Sequence, residues 1–102
     1  MKNLSVQQSA ELLSQKNSIP LIDVRTPAEY GSVHAKGAVN HPMESLDLAK
    51  IPCSKDDEIH VICKSGGRSM KVCQKLEAAG FTNLVNVDGG TSAWQSAGLP
   101  VV

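Results

Sequence analysis

Four short β-rich runs, Leu21–Val24, Ala38–Asn40, Glu58–Ile62 and Leu84–Val87, alternate along this chain with stretches patterned as helices. Strands this apolar need cover on both sides. The architecture that provides it is an α/β fold with a mainly parallel sheet and helices on both faces. The helix signals sit where such a fold needs them. Ser5 followed by Gln8 makes a capping box, and Val6, Ala10 and Leu13 then share one helical face. Thr26 can cap a helix and Pro27 suits its first turn. Ser45 to Ile51 reads as a short helix stopped by Pro52. Arg68 to Ala79 reads as a longer one, with Met70, Cys73, Leu76 and Ala79 near one face and Gly80 as its C-cap. Thr91 to Ala97 is a last short helix, ended by Gly98.

A length of 102 residues suits one compact domain that buries a real core without staples. The aromatics are Tyr30, Phe81 and Trp94, so that core is mostly aliphatic. Ten basic and ten acidic residues balance, which argues against a general nucleic-acid binder. Residues 1–15 hold no long apolar run, so neither a signal peptide nor a membrane span is expected there, and a cytoplasmic location is. Cys53, Cys63 and Cys73 are odd in number and form no Cys-x2-Cys pair. A disulfide framework and a metal site are both poorly supported, and free thiols are expected.

The chemistry concentrates in His60-Val61-Ile62-Cys63-Lys64-Ser65-Gly66-Gly67-Arg68-Ser69. A cysteine ends a buried strand, and a short polar loop leads to a helix opened by an arginine. In parallel sheets, ligands sit beyond the carboxyl ends of strands, where Cys63 is placed. No residue from 64 to 68 is proline, so each offers an N–H, and Gly66 and Gly67 allow the backbone to turn those groups inward. The result is an anion-binding nest at a helix N-terminus, with Lys64 and Arg68 adding positive charge. Such surroundings favour the Cys63 thiolate. A Cys-x5-Arg loop of this kind cradles phosphate in cysteine-dependent phosphatases. The spacing here is Cys-x4-Arg, and the smaller cradle suits a sulfur atom or the end of a thiosulfate.

Four stretches in order resemble the rhodanese family of thiosulfate sulfurtransferases, from about Val6 to Val101. Leu21 to Tyr30 is similar to its N-terminal signature, and His34-Ala35-Lys36-Gly37-Ala38-Val39-Asn40 to its His-Ile-x-Gly-Ala-x-Asn. Cys63 to Arg68 matches its active-site loop, and Asn86-Val87-Asp88-Gly89-Gly90 with Trp94 its C-terminal signature. Ala35-Lys36 departs from the pattern and bears on loop packing only. The resemblance implies a single rhodanese domain over residues 1–102 with a central, mainly parallel five-stranded sheet. It implies that the Cys63 thiolate takes sulfur from a small anionic donor such as thiosulfate. The resulting persulfide is held by the backbone N–H groups of Lys64, Ser65, Gly66, Gly67 and Arg68. Cyanide, a small thiol or a protein thiol, a redox protein among the candidates, then accepts the sulfur in ping-pong fashion. No metal or organic cofactor is required, and neither nucleic acid nor membrane is a partner.

Lys64 and Arg68 are expected to attract and orient the donor, Arg68 also to hold the loop. Ser65 either hydrogen-bonds the sulfur or faces solvent. Asp23 and Arg25 either assist the site or form a structural ion pair or cap, with Arg25 near Glu29. His34 and His41 are read as loop or packing residues, and His60 as surface or satisfied core. Trp94 packs the last helix onto the sheet, Cys73 is a small core residue, and Cys53 lies in a loop. Two other readings stand beside the enzyme: a sulfur-relay or regulatory module acting with a protein partner, and a phosphatase or arsenate reductase on the same scaffold, against which the short loop argues.

Overall fold

The computed structural model describes residues 1–16, 18–51 and 53–102. Five strands form one sheet: β1 (Lys2–Leu4), β2 (Leu21–Asp23), β3 (Ala38–Asn40), β4 (Ile59–Ile62) and β5 (Leu84–Val87). Their order is β1-β5-β4-β2-β3, and every pairing is parallel. Four helices connect them: α1 (Val6–Gln15), α2 (Pro27–Ser32), α3 (Gly67–Ala78) and α4 (Gly90–Ser96).

The sheet has two differently covered faces because strand side chains alternate. Ile22, Val24, Ile59, Val61 and Leu84 pack with Val72, Cys73, Leu76 and Phe81 in the cluster that holds α3. Leu21, Ile62 and Val87 pack with Val6, Ala35, Ala38 and Trp94 in the cluster that holds α1 and α4. Each fully buried aliphatic side chain contributes roughly 1.5–3 kcal/mol, so both layers matter to the position of β4 between them.

The capping boxes form as the sequence predicts. The Gln8 N–H donates to Ser5 Oγ at 3.1 Å and the Ser5 N–H to Gln8 Oε1 at 3.0 Å. Thr26 and Glu29 make the equivalent box, with Pro27 in the first turn of α2. Gly80 takes a φ of +99° just past α3, which lets the Phe81 N–H reach back to the Leu76 carbonyl at 3.0 Å. Trp94 is buried and donates through Nε1 to the Pro100 carbonyl at 2.8 Å, tying α4 to the last residues. Those residues run antiparallel to 34–36, with an Ala35–Val101 bridge. No helix among the described residues is long and apolar enough to cross a membrane.

One local expectation is corrected, and one strand is added. The helix from Ser45 to Ile51 is absent; two single 3-10 turns, Met43–Ser45 and Leu48–Lys50, stand in its place. Leu46, Leu48 and Ile51 still reach the core, so the apolar spacing is met without continuous helix. The proposed stop at Pro52 lies outside the described residues. The strand Lys2–Leu4 at the sheet edge is the element that the reading from residue patterns does not contain.

Candidate active site

Cys63 follows directly on β4, and the loop after it climbs into α3. Its residue exposure is 1%. The Gly66 N–H donates to Cys63 Sγ at 3.0 Å, and the Ser69 hydroxyl lies 3.3 Å from the same sulfur. Gly66 holds a φ of +113° as the cap of α3, a conformation open to glycine and costly for other residues. Burial pushes the Cys63 thiol pKa up. Hydrogen bonds from the Ser69 hydroxyl and from the Ser69, Gly66 and Ser65 backbone more than offset it, leaving the thiol below its ordinary value. Of the loop N–H groups expected to form a nest, that of Gly66 stands within hydrogen-bonding distance of the sulfur.

The backbone of this cysteine is gripped from behind. At the N-terminus of α4, the Thr91 N–H and hydroxyl donate to the Cys63 carbonyl at 2.8 and 3.0 Å, and the Ser92 N–H to the Lys64 carbonyl at 3.0 Å. This approach needs Gly90: a Cβ there would stand 2.4 Å from the Cys63 carbonyl oxygen. The Asp88-Gly89-Gly90 turn thus fixes the position of Cys63 from 27 residues away in sequence, counting from 63 to 90.

The two loop cations differ in their surroundings. The Lys64 and Ser65 side chains are exposed. Arg68 is paired with Glu29 through two contacts, Nη1 to Oε1 at 2.7 Å and Nη2 to Oε2 at 2.9 Å. The guanidinium holds the Glu29 carboxyl down at about 2. Arg68 thereby joins α3 to the first turn of α2, and much of its charge is neutralised. Two hollows flank the pair. One is lined by Val24, Thr26, Pro42, Met43 and Arg68, the other by Arg25, Glu29, Lys64, Thr91 and Ser92.

The expected neighbour of Arg25 is corrected as well. Arg25 does not pair with Glu29; its partner is Asp23, with Nε to Oδ1 at 3.0 Å and Nη2 to Oδ2 at 2.8 Å. Both are buried, and Nη2 also reaches the Val33 carbonyl at 2.7 Å. The pair is a strut at the carboxyl end of β2, in keeping with the structural reading. His60 is fully buried, with Nδ1 2.6 Å from Ser9 Oγ and Nε2 2.6 Å from Glu58 Oε2, a satisfied core histidine that pins β4 to α1. His34 stacks on the Tyr30 ring at 3.8 Å between centroids. Cys73 is core, and burial pushes its thiol up to about 12. Ser69 is the site residue that the sequence reading missed. Its signal was available: a hydroxyl one residue past the loop arginine, in a first helical turn facing back toward the cysteine.

The sequence matches the rhodanese-like domain over residues 5–97. The chain belongs to the rhodanese-like family. A sulfurtransferase of Allochromatium vinosum is 29% identical across 100% of this chain and 95% of its own. Thiosulfate sulfurtransferase 16, a chloroplastic protein of Arabidopsis thaliana, is 40% identical over 78% of this chain and 76% of its own. The crystal structure of a rhodanese-related protein from Thermoplasma volcanium superposes with a TM-score of 0.82 at 30% identity, covering 100% of this chain and 98% of the other. The chain spans about half, 53%, of a Synechocystis relative that is 32% identical to it. The rhodanese-like fold expected from the sequence is therefore present, and these relationships support sulfur transfer as the general class of its chemistry.

Proposed function

We propose that this rhodanese-like protein carries sulfane sulfur on Cys63, taking it from thiosulfate or a similar small anionic donor and passing it to cyanide or a thiol. The observation that carries this reading is the Cys63 sulfur itself, held at a strand end by the Gly66 N–H and the Ser69 hydroxyl with its thiol pKa lowered. The thiolate attacks the outer sulfur of thiosulfate. A bond forms between Cys63 Sγ and that sulfur; the sulfur–sulfur bond of the donor breaks, and its electron pair leaves with sulfite. The acceptor then attacks the outer sulfur, and the electron pair of the persulfide S–S bond returns to Cys63 Sγ as thiolate. This is covalent catalysis in two balanced displacements.

Burial of the cysteine favours a slim terminal sulfur over a full phosphoryl group, in line with the six-residue loop. Lys64 is the loop cation that attracts the anionic donor. Glu29 masks Arg68, and that lends weight to a second reading, in which a partner protein hands over or receives the sulfur. The name of the Arabidopsis relative supports thiosulfate as donor.

Intact-protein mass after incubation with thiosulfate tests the proposal. Wild type gains one sulfur atom, cyanide removes it, and Cys63→Ser gains nothing. Sulfur uptake by Cys63→Ser would overturn the assignment. No uptake by wild type, with uptake restored by a persulfidated protein donor, would favour the relay.

A further inference from the structure

Behind Cys63 three polar side chains run in line to the edge of the sheet. Ser69, fully buried on α3, contacts the sulfur. Its Oγ also meets Asn86 Oδ1 in a short hydrogen bond. Asn86 is buried on β5 and donates through Nδ2 to Asn3 Oδ1 at 3.0 Å. Asn3 is exposed, and the parallel register of β1 on β5 sets it opposite Asn86. Leu84, two residues earlier on the same face of β5, belongs to the apolar cluster around α3. A buried asparagine there must be paired.

Ser69 has one hydroxyl proton and three acceptors within reach: Cys63 Sγ, the Gly66 carbonyl at 3.1 Å and Asn86 Oδ1. With the Asn86 carbonyl toward Ser69, Asn86 competes with the sulfur for that proton, and when Asn86 holds it the lone pairs of Ser69 are left to receive the S–H of a neutral thiol. A half-turn of the Asn86 amide exchanges Oδ1 and Nδ2 at nearly the same two positions and moves nothing else. Nδ2 then donates to Ser69, the Ser69 proton turns to the sulfur, and Asn86 Oδ1 accepts from the Asn3 amide after the same half-turn. This second orientation suits a thiolate.

We propose that the Asn3–Asn86 amide pair is a positioning device whose orientation decides whether Ser69 donates to Cys63 or accepts from it, so that a side chain at the sheet edge is linked to the charge on the sulfur. This rests on the reading of Cys63 as the nucleophile. On ionisation the thiol proton goes to water, and no member of the chain changes its own charge. The charged and titratable groups around the loop are Lys64, Arg68 with Glu29, Asp23 with Arg25, Asp88 and Cys73, and the substitution below alters none of them.

The test is Asn3→Asp. A carboxylate there only accepts, so Asn86 must keep Nδ2 toward it and its carbonyl toward Ser69, which locks the thiol orientation. Thiolate absorbance in the ultraviolet, read against the matching Cys63→Ser protein, gives the titration midpoint of Cys63. The midpoint is expected to rise by about one pH unit, the scale of one hydrogen bond exchanged between the two states. Lys2→Gln makes the same change in net charge on the same strand and leaves the midpoint in place. High salt, which shortens the screening length to about 3 Å at 1 M, preserves the Asn3→Asp effect. In a Ser69→Ala background Asn3→Asp adds nothing, whereas Ser69→Thr restores it. An unmoved midpoint, or an equal shift with Ser69 absent, overturns the proposal. The mass assay with thiosulfate is independent of this titration, so an amide pair that responds as expected in a protein that takes up no sulfur would refute the transfer reading alone.

Discussion

Glu29 and Arg68 stand 39 positions apart in the chain and meet in a two-point ion pair that closes α2 onto the start of α3. On the proposed reading the pair sits where a donor arrives, so it is expected to act on both stability and charge.

Glu29→Gln should therefore have two separable effects. The folded carboxyl titrates at about 2 against an ordinary value of 4.5. A depressed carboxyl stabilises fully above its unfolded value and loses that contribution as pH falls through the folded one. Both partners are about one-third exposed, so screening limits the pair to about 1 kcal/mol. Thermal melts near neutral pH should differ by about 5 °C between variant and wild type, and the gap should close as pH falls from about 4.5 to about 2. At neutral pH the variant unmasks Arg68, and KM for thiosulfate falls several-fold. Arg68→Ala leaves an unpaired carboxylate, and KM rises, as it does in Lys64→Ala. Equal KM values across these variants would remove the loop charges from donor binding.

Gly90→Ala tests the grip on the cysteine backbone. The added methyl collides with the Cys63 carbonyl oxygen at 2.4 Å and the Lys64 carbonyl carbon at 2.5 Å, at a φ of +58°. A loss of about 2 kcal/mol or more in stability is expected, together with slower sulfur loading at temperatures where the variant is still folded. Denaturant unfolding and the mass assay read the two effects.

His60 is the pH-sensitive element of the core. Burial lowers its pKa more than Glu58 raises it, so the folded state prefers neutral imidazole. The sign follows: stability is complete above the ordinary imidazole range and declines as pH falls below it. His60→Gln should flatten that decline in a series of denaturant curves between about pH 7.5 and about pH 5. It should also lower stability at neutral pH, because Ser9 and Glu58 lose their shared partner.

Cys73 separates core chemistry from site chemistry. Cys73→Ser places a hydroxyl in an apolar cluster and is expected to cost about 1–3 kcal/mol; Cys73→Ala should cost less. Both variants should still take up one sulfur in the mass assay, and failure of Cys73→Ala to do so would give this thiol a role at the site.

The β2, β3, β4 and β5 runs were legible because they are apolar and bounded by turn residues, and the capping boxes because their partners are three residues apart. β1 was not. Lys2-Asn3-Leu4 is short, and the sheet edge buries little of it. The loop from Cys63 to Arg68 was legible as a candidate site from its local pattern of glycines and charges. Its tertiary partners were not. Sequence proximity suggested Glu29 for Arg25, but Arg25 folds back on Asp23 in the interior, and Glu29 is left to an arginine on another helix. Ser69 escaped for a related reason. A serine early in a helix reads as a capping or solvent residue until the packing of α3 on β5 places it between Cys63 and Asn86.

The burial of Cys63 also bears on chemical damage. Cysteines oxidise in proportion to thiolate character and exposure together. Cys63 has a lowered thiol pKa but 1% exposure. Cys53 is partly exposed, yet burial and Asp57 raise its thiol pKa, while Cys73 is sealed in the core. In none of the three do the two conditions coincide. On the proposed reading of Cys63 as the sulfur carrier, its burial limits over-oxidation toward sulfinic acid between encounters with a donor.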